Sequence, residues 1–462
     1  MSTSRQLEIE FSSGRSATAP ATWGQQAVWD AVRGLGPADA PRYNVSLAAP
    51  VDPGVPVAVV LDALRQLLHL HDSLHTRLRE DDAGRLEQTV DAAGRLTVVT
   101  RQCTGAEDVA QDGALLLAEL AGQPFDCTRD WPLRVGLVES AGLVRHLTFV
   151  LSHTAVDAWG LRRLAIDLTA IVQGDSAEVI RERHPALQPV EEAAFQVSER
   201  GRRRDTNARR HWDRKLRLGP PRLFAPPAED AGTLRFPNAV LNSPALARAL
   251  EHVAAGHRVS SSAVLLAAAS VMTARLSGAP AAVLQVVVNN RFLPGLADAV
   301  STLASEGLFH LTDAAGPFAD VVRRAHATSI ATYRSAYYDK RLLDRDIARI
   351  TADGGTVADR SCFFNDTRDL MPSQPPGPAG PQEPAEPPES LERARARTTL
   401  SWPVEFEPRG NVSYALDALA APGSLELSMT ADSTVVPRPD MERFLYGMED
   451  LVVAEALALG CA

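Results

Sequence analysis

Arg145-His146-Leu147-Thr148-Phe149-Val150-Leu151-Ser152-His153-Thr154-Ala155-Val156-Asp157-Ala158-Trp159-Gly160 joins two elements of different period. Residues 147–151 form a short apolar run with β-branched and aromatic members, and predict a buried strand. Over 161–172, Leu161, Leu164, Ile166, Leu168 and Ile171 alternate with Arg162, Arg163 and Asp167, which is the pattern of an amphipathic helix. His153 and Asp157 therefore sit where a strand ends and a helix begins. There the backbone turns on a rigid scaffold and exposes side chains, a setting that suits chemistry. A lone His after a strand is more often a packed structural residue, so the rest of the chain has to decide.

At 462 residues the chain exceeds a usual single domain, and two domain-sized units are expected. A hydrophobic share of 45% and a charged share of 23% suit a globular protein with an ample core. The net charge of −10 argues against nucleic acid or an anionic membrane as the main partner. The clusters Arg202-Arg203-Arg204 and Arg209-Arg210 read first as a solvated helix face. Four cysteines, Cys103, Cys127, Cys362 and Cys461, lack metal-ligand or disulfide-framework spacing. The N-terminus shows no basic segment followed by an apolar one, and the most apolar window, 263–271, is too short to span a bilayer. A reducing cytoplasm is the expected home. His69, His71 and His75 invite a metal reading, but their spacing does not put all three on one helical face; no metal is expected.

Along the chain, residues 1–20 read as a short strand or tail. Thr22 is placed to cap a helix, with Trp23 and Trp29 read as core. Residues 57–71 form an amphipathic helix through Val60, Leu61, Leu64, Leu67, Leu68 and Leu70, and another helix covers 110–120. The polar stretch 174–201, with Pro185 and Pro189, is the expected linker, dividing the chain into domains 1–185 and 186–462. Further helices are predicted over 199–216, 241–254, 260–276, 317–333 and 439–459, with Ser260 near a cap and Pro317 in a first turn. Strands are predicted over 281–288, 361–366 and 425–429. The Pro-, Gly- and Glu-rich stretch at 371–390 cannot assemble a core and reads as a flexible loop.

The 152–159 segment resembles the His-His-x-x-x-Asp-Gly core of the condensation domains of nonribosomal peptide synthetases, in the chloramphenicol-acetyltransferase-like superfamily. The second His of that core falls on His153 and the Asp on Asp157. Ser152 stands in place of the first His and Ala158 in place of the Gly, with Trp159 and Gly160 following. Other likenesses occur in family order: the capped start at 22–29, Tyr43-Asn44, the segment 71–78, and Pro124-Phe125-Asp126 followed by Pro132-Leu133-Arg134. After these come His211-Trp212, Arg291 after a strand, Gly307-Leu308-Phe309 and Phe364-Asn365. His310 stands where the family has an Asn. The resemblance covers nearly the whole chain. It implies a mixed α/β (α+β) fold of two acetyltransferase-like subdomains in a V-shaped pseudo-dimer, and a free-standing monomeric enzyme of natural-product biosynthesis.

The activity so implied is transfer of an acyl or aminoacyl group from a carrier-protein phosphopantetheine thioester to an amine or hydroxyl acceptor, giving an amide or ester. The acceptor must lose a proton as it attacks, and the developing oxyanion needs a donor. An imidazole with an unperturbed pKa near ~6.5 suits the first need, so His153 is the expected catalytic residue. Asp157 is expected in a structural salt bridge with Arg291, anchored rather than acting as a second base. Ser152 can still donate a hydrogen bond, while Ala158 narrows the backbone geometries a Gly would allow. Tyr337, Tyr338, Asn365 and Trp402 are candidates for lining a tunnel, with core packing as the competing role for each. No bound cofactor is expected, since phosphopantetheine arrives on the acyl or peptidyl carrier protein. Carrier proteins of this class are acidic, so a local basic docking patch is expected, with Arg162-Arg163 and the Arg202 to Arg214 helix as candidates. Two other readings stand beside this one. One is an acyl-coenzyme A-dependent acyltransferase, whose branch carries an Asp-Phe-Gly-Trp-like motif not seen in the sequence. The other is a catalytically silent module that recruits partner enzymes to a carrier-bound peptide, kept open by Ser152 and Ala158.

Overall fold

The computed structural model describes residues 3–36, 38–103, 105–225, 235–370 and 390–461; all but the last residue of the expected loop at 371–390 lies outside them. The chain forms two compact units. The first comprises Met1–Asp205, Asn289–Ala304 and Tyr338–Leu342; the second comprises Thr206–Val288, Ser305–Tyr337 and Leu343–Ala462. The first unit thus runs beyond the expected boundary after residue 185 and takes in two later segments.

The first unit begins with β1 (Thr3–Ser12), β2 (Ala17–Pro20), α1 (Trp23–Arg33), β3 (Asn44–Pro56) and α2 (Val57–Leu70). It continues through β4 (Thr76–Glu80), β5 (Leu86–Val90), β6 (Ala93–Gln102), α3 (Ala106–Ala121), β7 (Leu133–Ser140) and β8 (Leu143–Ser152). Then follow α4 (Ala158–Val172), α5 (Ala177–Arg183), α6 (Pro189–Val197) and α7 (Glu199–Leu218), the last passing into the second unit. A five-stranded sheet has the order β1-β6-β7-β8-β3, and a three-stranded sheet the order β2-β5-β4. All pairs are antiparallel except β6 with β7.

Residues 149–151 of β8 are all apolar because both faces of the five-stranded sheet are covered there. Phe149 and Leu151 pack with Leu64 and Leu67 of α2 and Leu164 and Leu168 of α4. Val150, one residue out of phase, packs instead with Leu116 and Leu120 of α3. Of the strand or tail expected near the N-terminus, the strand is found: β1 pairs with β6 along its whole length. The stretch read as a linker holds α5 and α6, capped by Ser176 and started by Pro189. Trp23 and Trp29 are half-buried, and Trp29 packs against the small core cluster of Ala21, Leu78 and Leu86.

The second unit contains β9 (Phe236–Ser243), α8 (Pro244–His257), α9 (Ser261–Ser277), β10 (Ala282–Val288), β11 (Ser305–Leu311), α10 (Phe318–Arg334) and α11 (Lys340–Ala352). It closes with β12 (Cys362–Asp366), α12 (Leu391–Arg395), β13 (Thr399–Phe406), β14 (Tyr414–Ala421), β15 (Ser424–Ala431) and α13 (Arg438–Ala458). Its seven-stranded sheet has the order β11-β10-β12-β14-β15-β9-β13. The expected helix over 241–254 starts only at Pro244. Leu241 pairs with Leu427 on β15, and the Ser243 hydroxyl caps α8 by accepting from the Leu246 N–H. Helix α9 is buried from Ala263 to Thr273, as its nearly all-round apolar sequence requires. Among the described residues no single helix is long and apolar enough to cross a membrane.

Candidate active site

β8 ends at Ser152 and α4 starts at Ala158, so the five residues 153–157 make the turn that presents His153. Both main-chain polar groups of His153 are engaged. Its N–H donates to the Tyr43 carbonyl at 3.2 Å, and its carbonyl accepts from the Thr302 hydroxyl. The ring is half-buried and lies 6.4 Å from the Tyr43 ring, centroid to centroid. Its Nδ1 is buried with no hydrogen-bond partner among the described residues, and Nε2 is not enclosed in this way.

Asp157 is the N-cap of α4 and is 1% exposed. Oδ1 accepts from the Gly160 N–H at 2.8 Å and meets Arg291 Nη2 at 2.8 Å. Oδ2 accepts from Arg291 Nη1, Leu303 N–H and Ala304 N–H, each at 2.9 Å. The carboxylate is therefore saturated, and the Arg291 pairing is bidentate, the strong geometry for this pair. Nη1 of Arg291 also reaches the Asn289 carbonyl at 3.3 Å, and Nη2 reaches the Ala299 and Ser301 carbonyls at 3.1 and 3.2 Å. Asn290 adopts the left-handed region at φ 57°, which Asn tolerates better than most residues. Its side-chain amide donates to the Leu303 carbonyl at 2.8 Å, closing the 289–304 segment on itself.

On the other side of His153, Ser152 Oγ and Thr154 Oγ1 are 2.8 Å apart, and the Thr154 N–H donates to Ser152 Oγ at 3.3 Å. Cys127 Sγ lies 3.6 and 3.8 Å from the same two hydroxyls. Gly160 is packed so closely that a Cβ there would lie 2.7 Å from Val156 Cγ2 and 3.1 Å from Arg291 Nη2. Ala158 is the first helical residue of α4, and Trp159 is half-buried beside it.

The structure thus brings His153, Asp157 and Arg291 together within the first unit. Tyr338 belongs to the first unit and Tyr337 to the second, both buried at 6% and 4% exposure. Asn365 donates to Asp417 at 3.0 Å, and Trp402 lies under the Arg438 guanidinium at 4.7 Å. Sequence reasoning missed Leu303 and Ala304, because backbone donors leave no mark in a sequence, and it missed Thr302, whose hydroxyl reaches His153 from 149 positions away. Cys127 and Asn290 could have been noticed only as polar residues beside motif positions.

The remaining family-like segments hold the scaffold. Thr22 and Gln25 form a reciprocal cap at the start of α1. Arg134 donates to the Leu120, Gln123 and Pro124 carbonyls at 2.8–3.1 Å and stacks on Phe125. His71 Nε2 lies 2.9 Å from Asp167 Oδ2, so this histidine is tied to α4. Burial pushes the His75 imidazole below its ordinary range and the Asp72 carboxyl above its own. His310 is buried on β11, and Lys215 Nζ donates to its carbonyl at 3.3 Å.

A condensation-domain profile matches residues 24–452. The chain belongs to the condensation-domain family. Members of this family are in general amide-bond-forming acyltransferases that work on carrier-bound substrates. This condensation domain is 25% identical over 332 residues to an isonitrile lipopeptide synthase of Mycobacterium tuberculosis, covering 70% of this chain and 13% of that protein. It is 28% identical over 221 residues to CymA of Salinispora arenicola, a probable non-canonical nonribosomal peptide synthetase, covering 46% of this chain and 3% of that one. Among solved structures it matches the condensation domain that mediates chain release from the enacyloxin polyketide synthase. The TM-score is 0.68 at 20% identity, over 96% of this chain and 84% of the other. The mixed α/β class and the two acetyltransferase-like subdomains expected from the sequence are those of this family.

Proposed function

We propose that this condensation domain transfers an acyl or aminoacyl group from a carrier-protein phosphopantetheine thioester to an amine or hydroxyl acceptor, with His153 as the proton acceptor. The observation that carries the reading is the division of labour around the 153–157 turn. Asp157 is saturated by five N–H groups from Gly160, Arg291, Leu303 and Ala304. The His153 imidazole has no hydrogen-bond partner in the described chain. In the reaction the acceptor N–H or O–H attacks the thioester carbonyl, and its proton passes to the accessible ring nitrogen. Collapse of the tetrahedral intermediate breaks the C–S bond, and the imidazolium returns the proton to the departing thiolate. The pantetheine thiol leaves on the carrier, and the protein needs no bound cofactor of its own.

A second reading, a silent module that recruits partner enzymes to a carrier-bound peptide, draws on Ser152, whose hydroxyl is engaged by Thr154 where the family has an imidazole. One experiment separates the two: His153→Ala in a transfer assay with a loaded carrier protein, read by mass spectrometry of the product. Loss of 10²-fold or more in rate, the ordinary weight of a general base, supports the enzyme. Product formed at an unchanged rate removes His153 from the chemistry. Carrier binding with no transfer by the wild-type protein supports the silent module.

A further inference from the structure

Of the two basic stretches expected to meet a carrier protein, the one at 162–163 offers a single exposed arginine, Arg162. Arg163 is bound to Asp167 and to Asp298, the latter at 3.0 Å, and is only 11% exposed. The α7 arginines are different. Within the second unit, α7 and α11 flank a groove of ≈ 750 Å³ lined by Arg209, Arg210, Arg214, Arg217 and Arg349, against the carboxylates of Asp213 and Asp346. Arg209 and Arg349 share Asp346, and Arg217 meets Asp213 at 2.9 Å. Arg210 and Arg214 are exposed and make no ion pair or hydrogen bond among the described residues. Spaced at i and i+4, they repel each other and weaken their own helix. The charge of Arg214 is felt nearby: after burial itself, it is a cause of the lowered Lys215 pKa.

A cluster of arginines in excess over carboxylates, on a protein of net charge −10, marks a surface complementary to an anion. Arg210 and Arg217 are two helical turns apart, about 10 Å along the axis, too far to converge on one phosphate. The stripe at i, i+4 and i+7 fits carboxylates repeated at the same spacing on a facing helix, each able to take a guanidinium in bidentate fashion. A long polyanion such as nucleic acid would meet the negative remainder of the surface.

We propose that the α7–α11 groove docks an acidic helical face of the carrier protein that brings the acyl chain. The proposal rests on the acyl-transfer reading for the identity of its occupant. The test uses a fluorophore-labelled, phosphopantetheinylated acyl carrier protein of net negative charge, titrated with the full-length protein and followed by anisotropy at low and high salt. Arg210→Glu/Arg214→Glu is expected to weaken binding by roughly tenfold or more and to flatten its salt dependence. Arg210→Gln/Arg214→Gln is expected to fall between, and Arg162→Glu to leave binding unchanged. Reversing the charge of the facing carrier glutamates should restore binding to the Glu variant. Equal carrier affinity for wild type and the Glu variant overturns the proposal. So does a wild-type protein that binds no carrier, or one that binds an oligonucleotide through Arg210 and Arg214 more tightly than the carrier. Transfer from a free pantetheine thioester should be the same in wild type and the Glu variant, because docking is bypassed. If neither donor supports transfer while carrier binding still depends on the arginines, the acyl-transfer reading fails and the docking surface stands.

Discussion

Removing the Asp157 carboxylate tests whether the turn bearing His153 is held by charge. In Asp157→Ala, Arg291 loses both oxygens of a pair in which the side chains are 10% and 1% exposed. Breaking one partner of a buried pair costs about 3–5 kcal/mol. Arg291 keeps carbonyl contacts at Asn289, Ala299 and Ser301, which offset part of the loss. The N–H groups of Gly160, Leu303 and Ala304 lose their acceptor in the same step, and each such loss costs about 1–3 kcal/mol where water does not replace it. A net loss of about 4 kcal/mol follows, near the exceptional end for a point substitution. Urea denaturation of Asp157→Ala, Arg291→Met and the double variant forms a cycle. The second substitution should cost far less in the background of the first, with a coupling of about 2 kcal/mol or more. Should Asp157→Ala not remain folded, Asp157→Asn keeps one acceptor oxygen and serves in the same cycle. Transfer should fall in every variant although His153 is untouched. A cost under about 1 kcal/mol, with no coupling and an unchanged rate, would refute the account, since a buried bidentate pair cannot be lost so cheaply.

Two further outcomes follow from close packing and from burial. A Cβ at Gly24 would lie 1.8 Å from the Thr302 carbonyl oxygen. Gly24→Ala should therefore cost about 3 kcal/mol in urea denaturation and slow transfer, because Thr302 also holds the His153 carbonyl; a variant as stable as wild type contradicts this packing. The His211 imidazole is pushed from 6.5 down to about 4 by burial first, then by Lys215 and Arg214. Its unfolded form takes up a proton before its folded form does, so the stability it contributes is complete above pH 6.5 and is lost as pH falls through about 4. A shift of that size corresponds to about 3 kcal/mol, which solvent screening reduces to roughly 2 kcal/mol. His211→Gln should show a shallower acid decline than wild type, and identical declines would contradict the assignment.

The strand–turn–helix around His153 was legible because two periodicities meet there. An apolar run gives way to a helical stripe, and the residues between them have to turn. The partner of Asp157 was legible only by resemblance, since Arg291 lies 134 positions away. No local pattern shows that residues 289–304 leave the strand at β10 and join the first unit before the chain returns to β11. The donors that saturate Asp157 were invisible for a different reason. Apart from the guanidinium, they are main-chain N–H groups, which every residue but proline has. Short elements were misread where composition and position disagreed. Helix α6 begins at a proline, which read as a linker signal but is well suited to a first helical position. The end of β9 was absorbed into a helix because Leu241 is followed by residues that continue a helical pattern. Its pairing with Leu427 is decided by tertiary contact.

Ser152 raises the question of how the turn keeps its shape without the imidazole that the family places there. The Ser152 hydroxyl accepts from the Thr154 N–H and pairs with the Thr154 hydroxyl, closing a small ring directly under His153. The His153 backbone is fixed from two other directions, by Tyr43 and Thr302, and the far end of the turn by the five N–H groups on Asp157. None of these restraints needs a ring at residue 152, so the backbone geometry survives the substitution. Among the described residues of the turn, His153 is the one group left to act as a base. Asp157 is saturated, and Ser152 and Thr154 bond each other. If acyl transfer occurs at this turn, His153 is the described group there that can both take the proton from the acceptor and hand it to the departing thiol.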